Sequence, residues 1–399
     1  MTGVKEAGLL IIMLGLVTLP GCLPSQEPTE ETQVYQWALP DDFPLPQVPP
    51  ENPMSDAKVE LGRYLFYDRA LSANQRQSCA SCHLQSHAFA EPLRVSTGST
   101  GEQHRRNAPA LVNIAYNKNL TWAHNGLTQI ERQVLIPLFG QEPIEMGVSG
   151  HEQQVLQRLT RAPYPELFIK AYGEAYAGTP EFIQVTQALS SFVRSLISLS
   201  SPFDRYAYYE DDYAINDQVR AGMKLFFSER MECHHCHGGF NFTQSTSHQK
   251  QPLDRRPFHN IGLYYTSRTK LTDDSQGYPD KDRGLGELTG KPQDDGRFRA
   301  PTLRNIALTA PYMHDGSVAS LEEVIEIYAA GGREITSGPF AGDGRRHPFK
   351  SPFVNGFDIS AQEKQDLIAF LNSLTDESFI SNPAFSDPWP VTEQMTSLK

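Results

Sequence analysis

Two pentapeptides carry the chemistry open to this chain. Residues 79–83 read Cys-Ala-Ser-Cys-His and residues 233–237 read Cys-His-His-Cys-His. Each has the C-x-x-C-H spacing of covalent c-type haem attachment, with Cys79 and Cys82, or Cys233 and Cys236, holding the porphyrin edge. The histidine that follows, His83 or His237, reaches the iron from the proximal side. A single copy also fits a redox dithiol or half of a zinc site. Two copies, with no further cysteine pair to complete a tetrahedral sulfur site, point to two haems.

One cysteine stands outside these motifs. Cys22 ends a leader in which Lys5 precedes an apolar run over residues 9–17, followed by Leu19-Pro20-Gly21. That run is too short to span a bilayer comfortably. Residues 1–21 are expected to be a lipoprotein signal, with cleavage before Cys22 and acylation of its thiol. An ordinary secretory leader cleaved elsewhere is the alternative. Either exports the chain, here to the periplasm, and c-type haem is attached outside the cytoplasm. No cysteine is left for a disulfide.

The elements that must position these motifs are mostly helical. A length of 399 residues allows about two domains. The net charge of −12 argues against nucleic acid or an anionic membrane face as partner, leaving membrane contact to the lipid anchor. Residues 22–50 are proline-rich and read as a tether or an extended strap. Residues 55–68 have helical spacing, with Val59, Leu65 and Phe66 on one side. Thr179 and Pro180 look like the N-cap and first residue of a helix carrying Phe182, Val185, Leu189, Phe192, Leu196 and Leu199. Residues 240–300, rich in Gly, Asp and Thr, predict a long surface loop region. Ser320 with Glu323, and Ser360 with Glu363, have capping-box spacing, and Gly331-Gly332 should end the first of those helices. Strand patterns are scarce, so the class is mainly α, with haems filling part of each core.

The chain also repeats itself. Val59, Gly62, Leu65 and Phe66 recur as Val219, Gly222, Leu225 and Phe226, each set ahead of a haem motif. Ala108-Pro109-Ala110-Leu111-Val112-Asn113-Ile114-Ala115 recurs as Ala300-Pro301-Thr302-Leu303-Arg304-Asn305-Ile306-Ala307, and His124-Asn125-Gly126 as His314-Asp315-Gly316. A duplicated one-haem unit is the expectation: two cytochrome c-like domains over residues 51–208 and 209–380, then a tail over 381–399. The repeat sets Tyr328 opposite Pro137. Tyrosine can ligate iron and proline cannot. Haem two is then capped on both faces, and haem one stays open opposite His83. From spacing alone Tyr328 fits equally a core tyrosine continuing the stripe of Leu321, Val324 and Ile325.

The two haem motifs, Ala-Pro-Thr-Leu-Arg-Asn at 300–305 and Thr-Ala-Pro-Tyr-Met-His-Asp-Gly at 309–316 resemble the bacterial dihaem cytochrome c peroxidase/MauG family over nearly all of residues 55–375. In the peroxidases a methionine stands where this chain has Tyr328; MauG-like members have tyrosine. Met313 is the competing ligand. The histidine that covers the first haem of classical peroxidases falls at Ser99, with His87 and His104 out of register, which implies an iron open at rest. Trp122 resembles the tryptophan between the haems, although it also fits a buried core residue. Gln133, Pro137 and Glu145 resemble the distal pocket, with a longer loop before Glu145 than the family has; a solvated loop carboxylate is the plainer reading of Glu145. Asn107, Thr309 and Pro311 resemble the ligands of one calcium ion.

Residues 37–68 and Leu120-Thr121-Trp122-Ala123 look most like the MbnH branch. That resemblance implies an exported dihaem oxidase. Hydrogen peroxide would react at the open haem, assisted by Glu145 and Gln133. A high-valent dihaem state would share its oxidising equivalents across Trp122. The substrate would be a tryptophan, converted to kynurenine, on an MbnP-like copper-binding partner. The alternatives are a cytochrome c peroxidase supplied by a small redox protein, and a dihaem cytochrome that only transfers electrons.

Overall fold

The computed structural model describes residues 35–250, 257–266, 278–279 and 282–390. The leader, Cys22, the first part of the proline-rich stretch and the last residues of the tail lie outside the described residues. Five helices frame the molecule: α1 (Asp56–Tyr67), α2 (Phe182–Ser195), α3 (Asp217–Phe226), α4 (Leu321–Ala329) and α5 (Ala361–Asn372). Among the described residues no helix is long and apolar enough to cross a membrane.

α1 begins where Ser55 Oγ accepts the Lys58 N–H at 3.2 Å, which satisfies one of the free donors of the first turn. It buries Leu61, Gly62, Leu65 and Phe66. At Gly62 a Cβ would lie 2.0 Å from the Ala188 carbonyl oxygen of α2, so only a hydrogen fits and the two backbones touch. The same crossing is made by α3 and α5, where a Cβ on Gly222 would lie 1.9 Å from the Asp366 oxygen.

Around these pairs sit two cores. The first gathers Leu61, Leu65, Phe66, Phe89, Leu189 and Phe192, and the second Phe226, Phe242, Ile325, Phe370 and Leu371. The chain does not respect the halfway point. Trp122 and Ala123 belong to the second core. Phe379, Phe385 and Trp389 return to the first, where Trp389 Nε1 donates to the Tyr64 carbonyl at 3.2 Å. Residues 35–50 run as a strap: Phe43 meets Tyr116, Tyr208 and Phe240 edge-on, and Tyr116 donates its hydroxyl to the Pro44 carbonyl at 2.8 Å.

The repeated Ala-Pro-x-Leu-x-Asn-Ile-Ala stretch folds alike in both halves. Asn113 (φ 52°) and Asn305 (φ 57°) take the left-handed conformation that asparagine tolerates. Their side-chain oxygens accept the backbone N–H groups of Ser198 at 2.7 Å and Asp376 at 2.8 Å. Arg304, from the second copy, is fully buried and holds both oxygens of Asp204 at 2.9 Å.

Three local expectations need correction. The helix expected from Thr179-Pro180 starts at Phe182, because the Glu181 N–H finds Gln184 Oε1 at 3.1 Å and makes Glu181 the cap. Ser320 caps α4 by accepting the Glu323 N–H, but Glu323 turns to the Ala319 N–H and the box stays half made. The stretch 240–300 is no surface loop where it is described. It buries Phe242, Leu263, Tyr278, Leu285 and Phe298, and pairs β1 (Phe258–His259) with β2 (Phe298–Arg299) antiparallel. Polar composition hid a wall whose apolar residues are spaced irregularly. The fold is mainly helical with few strands, as expected.

Candidate functional site

Each Cys-Cys-His set is held by the same device. The His83 Nδ1 donates to the Phe89 carbonyl at 2.8 Å, with the Pro109 carbonyl also near. His237 Nδ1 faces the carbonyls of Phe242 at 3.2 Å and Pro301 at 3.0 Å. Phe89 (φ 60°) and Phe242 (φ 48°) are in the left-handed region, a strained choice for an aromatic residue that turns each carbonyl toward its imidazole. With Nδ1 committed as donor, Nε2 keeps its lone pair for a metal. Burial favours the neutral rings, lowering His83 and taking His237 down to about 4.

Cys79, Cys82, Cys233 and Cys236 form no disulfide. Burial pushes Cys79, Cys233 and Cys236 up to about 12 and Cys82 to about 11. A redox dithiol needs a stabilised thiolate, and these sites oppose one. The pairs also sit at different cores, Cys79 beside the first and Cys233 beside the second, so they do not combine into one zinc site.

The second set opens on an apolar cavity of about 180 Å³, whose walls include Trp122, Cys233, Cys236, His237, Arg299 and Tyr328. Tyr328 projects from α4. Its hydroxyl makes no hydrogen bond among the described residues, and burial pushes its pKa well up. Met313 lines the same cavity, so both ligand candidates reach it. Arg299 is 3 % exposed. Its Nε donates to the Thr121 carbonyl at 3.1 Å, while Nη1 is buried without a partner among the described residues. Burial lowers its pKa to about 10. An orphaned guanidinium in an apolar pocket calls for an anion. A flat apolar ring system with carboxylate arms, two sites for sulfur and one for imidazole is haem, and the donor set fits it.

Trp122 is 9 % exposed, and its Nε1 donates to the Asn107 carbonyl at 2.8 Å. Arg299, His259 and His314 also line this cavity and were not anticipated. The available signal was Arg299 itself, a charge set directly before the repeated Ala300-Pro301.

The first set has different neighbours. The charge of Glu145 bears on Cys79, Cys82 and His83, so the longer loop still delivers this carboxylate to the site. The Glu145 carbonyl accepts the Ser99 N–H at 2.8 Å, and the Pro137 carbonyl accepts the Met146 N–H at 2.9 Å, which closes the loop on both sides. His104, out of register in the sequence, brings Nε2 to 3.5 Å from Glu145 Oε1. His87 instead pairs with Ser86 at the surface. Gln133 and Pro137 are half-buried on two short helices, Ile130–Gln133 and Leu135–Phe139, that interrupt what is one continuous helix at α4. Glu91 is buried beside Cys82, bonded to Ser96, with burial raising its pKa.

The side chains of two expected calcium ligands make local hydrogen bonds. Asn107 Nδ2 donates to the Leu93 carbonyl at 3.0 Å and Thr309 donates its hydroxyl to the Ile306 carbonyl at 3.2 Å.

Helices wrapped around two unequal Cys-Cys-His sites define a di-haem c-type protein. The family model for di-haem cytochrome c peroxidase matches residues 56–212. Cytochrome-c peroxidase IdrP1 of Denitromonas iodatirespirans is 32% identical over 356 residues, covering 83% of this chain and 85% of its own. Methylamine utilization protein MauG of Methylorubrum extorquens is 30% identical over 342 residues, 85% of this chain and 83% of its own. The crystal structure of a MauG-like protein associated with microbial copper homeostasis superposes with a TM-score of 0.84 at 47% identity, covering 89% of this chain and all of that one. The chain belongs to the di-haem cytochrome c peroxidase/MauG family of oxidoreductases.

Proposed function

We propose that the protein is an exported dihaem oxidase that uses hydrogen peroxide to oxidise a tryptophan, to kynurenine, on an MbnP-like copper-binding partner in the periplasm. The observation that carries this reading is the inequality of the two sites. The second has an enclosed phenol, Tyr328, whose hydroxyl is unbonded among the described residues, and the first has the carboxylate of Glu145 instead. The copper side of the reading is supported by the 47%-identical structure and its association with copper homeostasis.

When bound, the haems supply peroxide cleavage and store the oxidising equivalents. The chain does the rest. His83 and His237 present Nε2 because their Nδ1 atoms are held by backbone carbonyls. Glu145 accepts the proton of incoming peroxide and returns it to the departing oxygen, with His104 holding the carboxylate in place. Gln133 and Pro137 wall that pocket. Trp122, fixed by its bond to Asn107, is the oxidisable group between the sites. Tyr328 offers a phenolic oxygen whose proton leaves only against a positive charge, since burial opposes a free phenolate. Export by the leader and acylation of Cys22 keep the enzyme at a periplasmic membrane face.

A second reading, peroxide detoxification with electrons from a small redox protein, is favoured by the 32% identity to a cytochrome-c peroxidase. Incubating the holoprotein with peroxide and the copper-binding partner separates the two. The oxidase reading expects a kynurenine mass signature in the partner. Rapid turnover of reduced cytochrome c with an unmodified partner would establish the detoxifying enzyme instead.

A further inference from the structure

The two haem motifs differ at the residues between their cysteines. The first has Ala80-Ser81 and the second has His234-His235. Haem attachment uses the cysteines and the final histidine, so it asks nothing of this pair. In the structure the two imidazoles are brought together, with ring centroids 4.2 Å apart. Glu229 reaches across them: Oε1 lies 3.5 Å from His234 Nε2, and Oε2 lies 3.5 Å from His235 Nε2. One donor atom from each of the three residues lies within 4.8 Å of the others. Donors around a tetrahedral ion with bonds of about 2.0–2.1 Å stand roughly 3.3 Å apart. The observed spacing therefore needs only a small inward movement, and Glu229, 80% exposed, is free to make it.

Second contacts support the arrangement. His235 stacks on Phe353 at 4.4 Å with planes 15° apart, and its backbone carbonyl accepts from Gln244. Glu232 Oε2 lies 2.6 Å from His235 Nε2, and Glu232 is itself held in the left-handed region at φ 58°. His234 Nδ1 is buried without a partner among the described residues. Two imidazoles and two carboxylates converge on one spot where the equivalent motif has a methyl and a hydroxyl.

We propose that Glu229, His234 and His235 form a binding site for a first-row transition-metal dication, with Cu²⁺ the tightest, at the outer edge of the second haem motif. Imidazole with carboxylate suits copper and zinc, and for a given site affinity rises to Cu²⁺ and falls at Zn²⁺. A hard cation such as Ca²⁺ is excluded because it takes oxygen ligands in larger number. Glu232, whose Oε2 lies 2.6 Å from the same His235 Nε2, supplies a fourth ligand. The site is independent of the substrate and of the peroxide reaction.

The test is titration of the purified holoprotein with CuCl₂, ZnCl₂ and CaCl₂, read by calorimetry and, for copper, by electron paramagnetic resonance. One Cu²⁺ site with hyperfine structure from two imidazole nitrogens is expected, with weaker zinc and no calcium binding. The double substitution H234A/H235S copies the first motif and should abolish the signal while both haems stay attached. E229Q, which leaves the motif untouched, should weaken copper by about tenfold or more. A copper signal that survives H234A/H235S, or one without two-nitrogen hyperfine structure, overturns the site. So does calcium binding as tightly as copper. If the double variant fails to take up haem, unchanged copper affinity in E229Q overturns it and a loss upholds it.

Discussion

The indole Nε1 of Trp122 donates to the Asn107 carbonyl at 2.8 Å, and the Trp122 carbonyl accepts the Arg299 N–H at 2.7 Å. A side chain from the first half of the sequence is thereby pinned into the wall of the second site. Asn107 in turn donates its own N–H to the His314 carbonyl at 2.8 Å. The position of this ring is set by backbone groups on three segments.

Trp122→Phe keeps an aromatic ring but removes the donor and the more oxidisable indole. Peroxide should still react at the first site, while the oxidised state should decay faster because the equivalents are no longer shared. Stopped-flow spectra of the holoprotein check this. Stability should fall by about 1 kcal/mol, the usual effect of leaving one buried carbonyl unpaired.

Glu145→Gln removes the proton acceptor beside the first site. The rate constant for the peroxide reaction should drop by about 10²–10⁴-fold, the usual range for a positioned acid–base group. His104→Gln, which loses only the group 3.5 Å from that carboxylate, should cost less. Equal losses in both variants would mean that His104 itself handles the proton.

Tyr328→Met exchanges a phenolic oxygen for a thioether in the second cavity. Methionine ligation raises haem potentials, so potentiometric titration should show the second haem moving upward. Reduction by a small donor protein should then become faster. No change in either property would leave Tyr328 as a packing residue and return attention to Met313, which lines the same cavity.

Gly222→Ala places a methyl 1.9 Å from the Asp366 carbonyl oxygen, where α3 and α5 touch. Backbone has to move, and overpacking of this kind costs about 1–3 kcal/mol. Gly62→Ala meets the same obstacle at 2.0 Å in the other half. Chemical denaturation of both variants measures the effect.

Asp282 is largely buried, which raises its pKa, yet the two hydrogen bonds from Arg106 at 2.7 and 2.8 Å and the charges of Arg106 and His314 more than offset that and hold it below the ordinary value. A carboxylate with a depressed folded pKa contributes stability that is present above its unfolded value, about 3.9, and is lost as pH falls through the folded value. Melting temperatures followed toward acid should fall more steeply in the wild type than in Asp282→Asn. Above that window the variant should be less stable by about 2 kcal/mol, typical of hydrogen bonds to a charged group.

Much of this was legible in the residues. The haem motifs need no tertiary information, because their spacing is within one turn. The repeat set Gly62 opposite Gly222, and the structure gives each the same helix crossing, since only glycine lets backbones meet. α1 and α5 follow from Ser55 and Ser360, whose caps are satisfied within a few residues. The start of α2 was misplaced by two residues because Thr179-Pro180 and Glu181 both offer caps, and the competition is settled by Gln184.

Sequence by itself determined the two Cys-x-x-Cys-His sets, the helical class and the difference between the halves at Tyr328 and Pro137. Those rest on residue type and short-range periodicity, which the chain carries locally. Tertiary structure alone decided that His104 meets Glu145, that Trp122 enters the second core, that Arg299 points its unpaired guanidinium into that cavity, and that Phe379 and Trp389 close the first core. Each joins residues far apart in the chain, and no local pattern encodes a contact that exists only when two buried surfaces are brought together.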